Sequence, residues 1–116
     1  PTIADVAGAD VPKGSDGVSI LPLLKGDDSK ARGWIFISYS KSGLAYRPYQ
    51  CFVRNQDWKL YADGTLFHVP EDWDEQSPVT GPEGDAARAE LGPILENILK
   101  DAPKEHISWE SPIDEG

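Results

Sequence analysis

The sequence predicts an α+β fold, an antiparallel meander sheet of about four strands covered by a C-terminal amphipathic helix. Three observations carry that expectation. Trp34-Ile35-Phe36-Ile37-Ser38-Tyr39 is an aromatic and β-branched run suited to a strand. Asp63-Gly64 sits between Leu60-Tyr61-Ala62 and Thr65-Leu66-Phe67-His68-Val69, a strong short-range hairpin signal. From Asp85 to Lys100, Ala87, Leu91, Ile94, Leu95 and Ile98 recur at helical spacing.

In chain order, Pro1 to Ala7 reads as a short helix, because proline suits a first turn and Ile3 and Ala7 share a face. Gly8 is its expected cap. The coincidence of helix start and chain start, at a proline, suggests that an upstream part of the fold has been removed. From Val11 to Asp28, Pro12, Gly14, Gly17, Pro22 and Gly26 punctuate an ordered connector around Ile20, Leu21, Leu23 and Leu24. Those leucines need a surface to pack on or they form an exposed apolar patch.

The first strand, Trp34 to Tyr39, is expected to be covered on both faces at its start, since apolar residues occupy both of its alternating sets. A polar, glycine-containing loop follows from Ser40 to Pro48, then strands at Gln50 to Arg54 and Trp58 to Tyr61, separated by the Asn55-Gln56-Asp57 turn. A type I′ turn is expected at Asp63-Gly64. Alternation groups Trp58 with Leu60 and Leu66 with His68. Pro93 should remove one hydrogen bond from the last helix and kink it, unless the regular helix starts near Leu91. The tail from Pro103 is expected to be extended.

Composition bounds the function. The 116 residues fit one domain. A hydrophobic content of 39%, a charged content of 27% and four tryptophans describe a globular chain rather than a fibrous or disordered one. No apolar stretch is long enough to span a bilayer, so no membrane partner is expected. The net charge of -9 argues against nucleic acid, which needs clustered cations. Yet Lys30, Arg32, Lys41, Arg47, Arg54 and Lys59 face only Asp57 across residues 30–59, a local +5 against -14 elsewhere. Such a stretch can sit beside an anionic substrate or simply solvate the fold.

The chemistry-bearing residues are sparse. The single cysteine, Cys51, lies in the apolar run Cys51-Phe52-Val53 and reads as a buried structural thiol. His68 and His106 read as structural or surface histidines rather than catalytic bases. Glu71, Asp72, Asp74 and Glu75 form an acidic turn without the glycine and ligand spacing of an EF-hand. The substrate-contact candidates are Tyr39, Lys41, Tyr46 and Arg47, where planar guanidinium and phenolic donors suit a sulfate or a sugar. Ordinary strand-edge packing accounts for them equally well. No catalytic residue and no metal ligand is assigned.

Three stretches together resemble the sulfatase family. Pro1-Thr2-Ile3-Ala4-Asp5-Val6-Ala7-Gly8 is similar to the family's Pro-Thr-(apolar)-x-x-(apolar)-Ala-Gly helix. Asp16 to Gly26, Asp-Gly-Val-Ser-Ile-Leu-Pro-Leu-Leu-Lys-Gly, is similar to its Asp-Gly-x-Ser-(apolar)-x-Pro-(apolar)-Leu-x-Gly connector. Arg54-Asn55-Gln56-Asp57-Trp58-Lys59-Leu60, Leu66-Phe67-His68-Val69 and Asp72-Trp73-Asp74-Glu75 resemble the series that builds the C-terminal subdomain. Departures are Gln56 for glycine, His68 for aspartate and Trp73 for proline.

The resemblance implies an arylsulfatase-like parent of the alkaline phosphatase superfamily, an α/β enzyme. Its formylglycine nucleophile and calcium ion would lie outside this chain, since Cys51-Phe52-Val53-Arg54 is not the modification motif. On that basis residues 1–29 are the end of the catalytic domain and a connector, 30–102 the C-terminal subdomain, and 103–116 a tail. The chain alone is expected to be inactive. Its expected partners are the missing N-terminal catalytic domain and a sulfated small molecule or glycan, with a homo-oligomer through exposed apolar surface as a further expectation. A periplasmic or secreted location follows from the resemblance only. A parent phosphodiesterase or phosphonate hydrolase, or a free-standing binding module for acidic sugars, stands as an alternative.

Overall fold

A computed structural model describes residues 1–39 and 51–101, which divide into two compact units, Pro1–Gly33 and the part from Trp34 onward. In the first unit, α1 (Thr2–Ala7) ends as expected at Gly8, whose φ of 67° is left-handed. The Gly8 N–H bonds the Asp5 carbonyl and the Ala9 N–H bonds the Ala4 carbonyl at 2.8 Å, the paired closure of a Schellman motif. The connector forms one further turn, α2 (Leu21–Leu24), with Pro22 in its first positions.

The two N-terminal motifs are physically one assembly. Ser19 Oγ donates to Asp5 Oδ2 at 2.6 Å, and the Ile20 N–H donates to Thr2 Oγ1 at 3.1 Å. Gly17 passes so close to Pro1 that a Cβ there would lie 2.7 Å from the proline Cγ. Arg32 reaches back to the Asp16 carbonyl at 2.7 Å. Polar ties organise this unit, because none of its residues is buried. Ile3, Val6, Leu23 and Leu24 are exposed, as the connector's leucines led one to expect.

The second unit is the predicted meander. β1 (Ile35–Ser38), β2 (Cys51–Arg54), β3 (Trp58–Tyr61) and β4 (Leu66–His68) pair antiparallel in sequence order, followed by α3 (Asp85–Lys100). Trp58 faces His68, and Leu60 faces both Val53 and Leu66, so the predicted same-face pairs stand together. Val53, Leu60 and Leu66 pack against Ala87, Leu91 and Leu95 of α3, with Phe36 and Trp58 at the margin. This single sheet–helix layer is the core.

Two local expectations and one alternative are corrected. The β3–β4 loop is not a type I′ turn, because Gly64 has a φ of 91° while Asp63 does not adopt a positive φ. Gly64 N–H bonds the Tyr61 carbonyl, Tyr61 N–H bonds the Thr65 carbonyl, and Asp63 Oδ1 accepts the Thr65 N–H. The loop is therefore three residues long, a type I turn closed by a left-handed glycine. Pro93 lies inside α3, as expected, and only the alternative start near Leu91 fails, because α3 runs from Asp85. Pro93 and Ala89 are both exposed, so the carbonyl that loses its partner is offered to water. Finally, β1 is covered on its Phe36 side alone, and Ile35 and Ile37 remain exposed on the other.

The β2–β3 turn explains one departure from the family pattern. Asn55 Oδ1 accepts the N–H groups of Asp57 and Trp58 at 3.0 and 2.7 Å, so the side chain organises the turn. Gln56 has no positive φ, and glycine is not required there.

Candidate functional site

Of the substrate-contact candidates, Tyr39 is described. It lies one residue past β1 and is 60% exposed. Lys41, Tyr46 and Arg47 lie outside the described residues, as do the rest of the Ser40–Pro48 loop, Gln50, His106 and the tail beyond Asp101. The basic stretch is partly spent on the fold itself. Arg54 donates to the carbonyls of Asn55 and Gln56, and Lys59 is paired with Glu75.

The face of the sheet turned away from α3 carries the densest group of interacting polar and aromatic side chains. Pleating brings Phe52, Lys59, Tyr61 and Phe67 to that side, opposite Val53, Leu60 and Leu66. The Lys59 ammonium lies 4.0 Å from the Phe52 ring centre and is bonded to one oxygen of Glu75. Tyr61 donates to the other Glu75 oxygen at 2.6 Å. Phe52 and Tyr61 rings are 5.3 Å apart, and Tyr61 meets Phe67 edge-on at 6.0 Å.

Glu75 adopts a φ of 58°, the left-handed region that side chains with a Cβ rarely enter. Its two hydrogen-bonded partners hold it there. The loop around it is equally ordered: Asp72 accepts the N–H groups of Gln76 and Ser77 with its two oxygens, both at 2.9 Å. Those backbone donors hold the Asp72 carboxyl below the usual carboxylate range. The acidic turn is thus a set of internal caps, and Glu75 is a structural partner that sequence reading left in a solvated loop. Nothing in the spacing distinguishes Glu75 from Glu71 or Asp74; pairing of β3 with β4 is what sets it over Lys59 and Tyr61.

Electrostatics follow from this geometry. Partial burial pushes the Glu75 carboxyl up, but the Lys59 and Tyr61 hydrogen bonds outweigh it and leave the carboxyl below its ordinary 4.5. For Lys59 burial pushes the pKa down, and Glu75 and Tyr61 more than reverse it. Burial and the Glu75 bond both raise Tyr61. A carboxyl depressed in the folded state adds stability above its unfolded pKa, and that contribution fades as pH falls through the folded value. We expect stability to fall as pH drops below about 4.5, and Glu75→Ala to flatten that acid limb while lowering stability at neutral pH by about 1 kcal/mol. Glu75→Gly should recover about 1 kcal/mol relative to Glu75→Ala by accepting the left-handed backbone. Urea melts between pH 3 and 7, a range chosen to bracket ordinary carboxylate titration, would check both, and equal stability of the Ala and Gly variants would contradict the strain.

Cys51 is buried on the α3 side and its thiol donates to Ser38 Oγ at 3.1 Å, as suits a structural thiol. His68 stacks on Trp58 with ring centres 4.6 Å apart and brings Nδ1 within 3.3 Å of the Glu71 carboxylate. Among the described residues no group of three or more His, Cys, Asp or Glu side chains is arranged to hold a metal ion. No helix among the described residues is long and apolar enough to cross a membrane.

Solved structures share this architecture. A 2-O GAG sulfatase aligns over 86% of this chain at 22% identity with a TM-score of 0.62. The chain has the fold of a portion of a sulfatase. A protein of Bacteroides thetaiotaomicron VPI-5482, provisionally named a sulfatase, aligns over the same share at 21% identity and a TM-score of 0.61. In each case the match spans 23% of the sulfatase chain, so this chain corresponds to about a quarter of those structures. No family model matches the sequence. No curated protein matches it either.

Within that sulfatase-like fold, two of the three departures from the resembled pattern have local reasons, and nothing in the structure explains Trp73. Gln56 sits in a turn held by Asn55, His68 packs on Trp58, and Trp73 stands 82% exposed on the acidic loop.

Proposed function

We propose that the chain is the C-terminal portion of a sulfatase whose parent hydrolyses sulfate esters through a formylglycine and a calcium ion. The observation that carries this reading is the fold match over 86% of the chain and 23% of the solved sulfatases. The parent would be arylsulfatase-like and belong to the alkaline phosphatase superfamily, acting on a sulfated small molecule or glycan in the periplasm or outside the cell. Calcium and nucleophile would both come from the remainder of the parent.

The residues in hand support a walling role rather than a chemical one. Sulfate ester hydrolysis needs an activated nucleophile, a cation for the sulfate oxygens and an acid for the leaving group. Among the described residues, Lys59, Tyr61 and Glu75 satisfy one another, and Cys51 is buried. The contribution left to this chain is contact with substrate from the end of β1 and the loop after it, through Tyr39, Lys41, Tyr46 and Arg47.

Two assays test the reading. The purified chain should not turn over an aryl sulfate, and turnover would sink the assignment of the chemistry elsewhere. In the full-length protein, Arg47→Ala or Tyr46→Ala should raise KM for a sulfate ester about tenfold, the loss of one charge-assisted contact. Unchanged kinetics would remove the loop from the substrate cleft.

A further inference from the structure

The sequence contains the dipeptide Asp-Gly at Asp16-Gly17 and again at Asp63-Gly64. Such a pair is chemically labile, because glycine has no Cβ to obstruct attack of its own amide nitrogen on the aspartate side chain. A bond forms between the glycine nitrogen and the aspartate Cγ, the N–H proton and the carboxyl hydroxyl leave as water, and a five-membered imide results. Water then opens the ring at the former backbone carbonyl. That leaves a free α-carboxylate and a main chain that runs through Cβ and Cγ. One water is lost and one gained, and no oxidant or other reactant takes part.

The fold treats the two pairs differently. At Asp63-Gly64 both reacting groups are engaged: the Gly64 N–H donates to the Tyr61 carbonyl at 3.0 Å, and Asp63 Oδ1 accepts the Thr65 N–H at 2.9 Å. Ring closure there has to break both bonds and open the hairpin loop. At Asp16-Gly17, neither the carboxylate nor the Gly17 N–H has a hydrogen-bond partner among the described residues. What is bonded is the carbonyl of the same peptide, which accepts from Arg32 Nη2 at 2.7 Å. The attacking form of the amide is the one that has lost its N–H proton, and its negative charge is shared with that carbonyl oxygen. A guanidinium donating there stabilises that charge, as a fixed cationic donor does for any developing oxyanion.

We infer that Asp16-Gly17 is a modification site, isomerising spontaneously to isoaspartate with Arg32 as promoter, while the hairpin keeps Asp63-Gly64 closed. The misplaced carboxylate fits one class of partner, a methyltransferase that esterifies it from S-adenosylmethionine. The change also reaches the fold. Gly17 passes Pro1 with no room for a Cβ, and the Ile20 N–H is tied to Thr2 Oγ1. One additional main-chain atom between Asp16 and Gly17 displaces that approach and loosens α1 from the connector. The site follows from the connector's own geometry and stands apart from the sulfatase reading.

The test is to age the 116-residue chain at neutral pH and physiological temperature and to map isoaspartate by peptide. Shifted chromatographic retention at unchanged mass, and transfer of a labelled methyl group by an isoaspartyl methyltransferase, both read it. Isoaspartate should accumulate at residue 16 at least about tenfold faster than at residue 63, the protection expected of two net hydrogen bonds. In concentrated urea the two rates should converge, because the difference belongs to the fold. Arg32→Gln should slow residue 16 severalfold in buffer and leave residue 63 unchanged. Asp16→Glu, which would have to close a six-membered ring, should remove the signal from that peptide. Equal rates in buffer, a faster reaction at residue 63, or a ratio that persists in urea would overturn the site. An Arg32→Gln chain that ages like the wild type would overturn the role of the guanidinium.

Discussion

Leu91→Ala is expected to lower stability by about 3 kcal/mol, the middle of the range for emptying a fully buried leucine site. Leu91 is 0% exposed at the centre of α3, in the cluster formed with Val53, Leu60 and Leu66. Among the described residues, the unit from Trp34 has this one sheet–helix layer and no second core to absorb the loss. For a domain of this size the change corresponds to a fall in thermal midpoint on the order of 15 °C. Leu91→Met keeps the volume and should cost less than about 1.5 kcal/mol. Calorimetry on both variants separates the cavity from any general disturbance of the helix, and a mild Leu91→Ala phenotype would mean that α3 is not what closes the sheet.

Gly84→Ala is expected to cost about 1–3 kcal/mol through overpacking rather than through backbone conformation. Gly84 leads into α3 with an ordinary negative φ, so alanine is not excluded by the chain path. A Cβ there, however, would lie 2.6 Å from Leu66 Cδ2 and 3.1 Å from Val79 Cγ1. Leu66 is itself fully buried, so its methyl has no free volume to swing into. The Val79 segment is held from both sides, by its N–H to the Leu66 carbonyl at 2.8 Å and by Arg88 to its own carbonyl at 2.6 Å. Combining Gly84→Ala with Leu66→Val should therefore cost less than the sum of the two single changes, by about 0.5 kcal/mol or more. Strict additivity in urea melts would show that the helix entrance yields without pressing on Leu66.

Much of the architecture was readable because it rests on local periodicity. Alternation along β3 and β4 set Leu60 and Leu66 on one face, and the helical spacing of Ala87, Leu91 and Leu95 set the stripe that meets them. Helix limits at Asp85 and Lys100 agree with the structure residue for residue. Turn geometry was less readable. Asp63-Gly64 signalled a hairpin correctly, but loop length depends on which residues pair across it, and the Tyr61–Thr65 closure shifted the turn by one position. Pro93 was placed inside the helix correctly, but its cost depends on whether the abandoned carbonyl of Ala89 faces solvent, which only the docked helix decides.

The candidate site was less readable still. Tyr39 was chosen for its chemistry, and it stands exposed just past β1. Glu75 was one carboxylate among four in a row, with no spacing to mark it. Its role exists only once β3 is folded, because Lys59 and Tyr61 are brought to one side by the pleat and the loop returns over them 14 to 16 residues later.

Residue order alone thus accounts for the α+β class, the meander, the covering helix and the sulfatase-like pattern, since period-two and period-3.6 patterns and short motifs act over a few neighbours. Tertiary structure decided what depends on residues far apart in sequence. It joined Thr2 and Asp5 to Ile20 and Ser19, drew Glu75 into a left-handed backbone, and left Ile35 and Ile37 exposed. Those outcomes turn on which groups meet and which remain open to water after the chain has folded back on itself, and no local pattern encodes that.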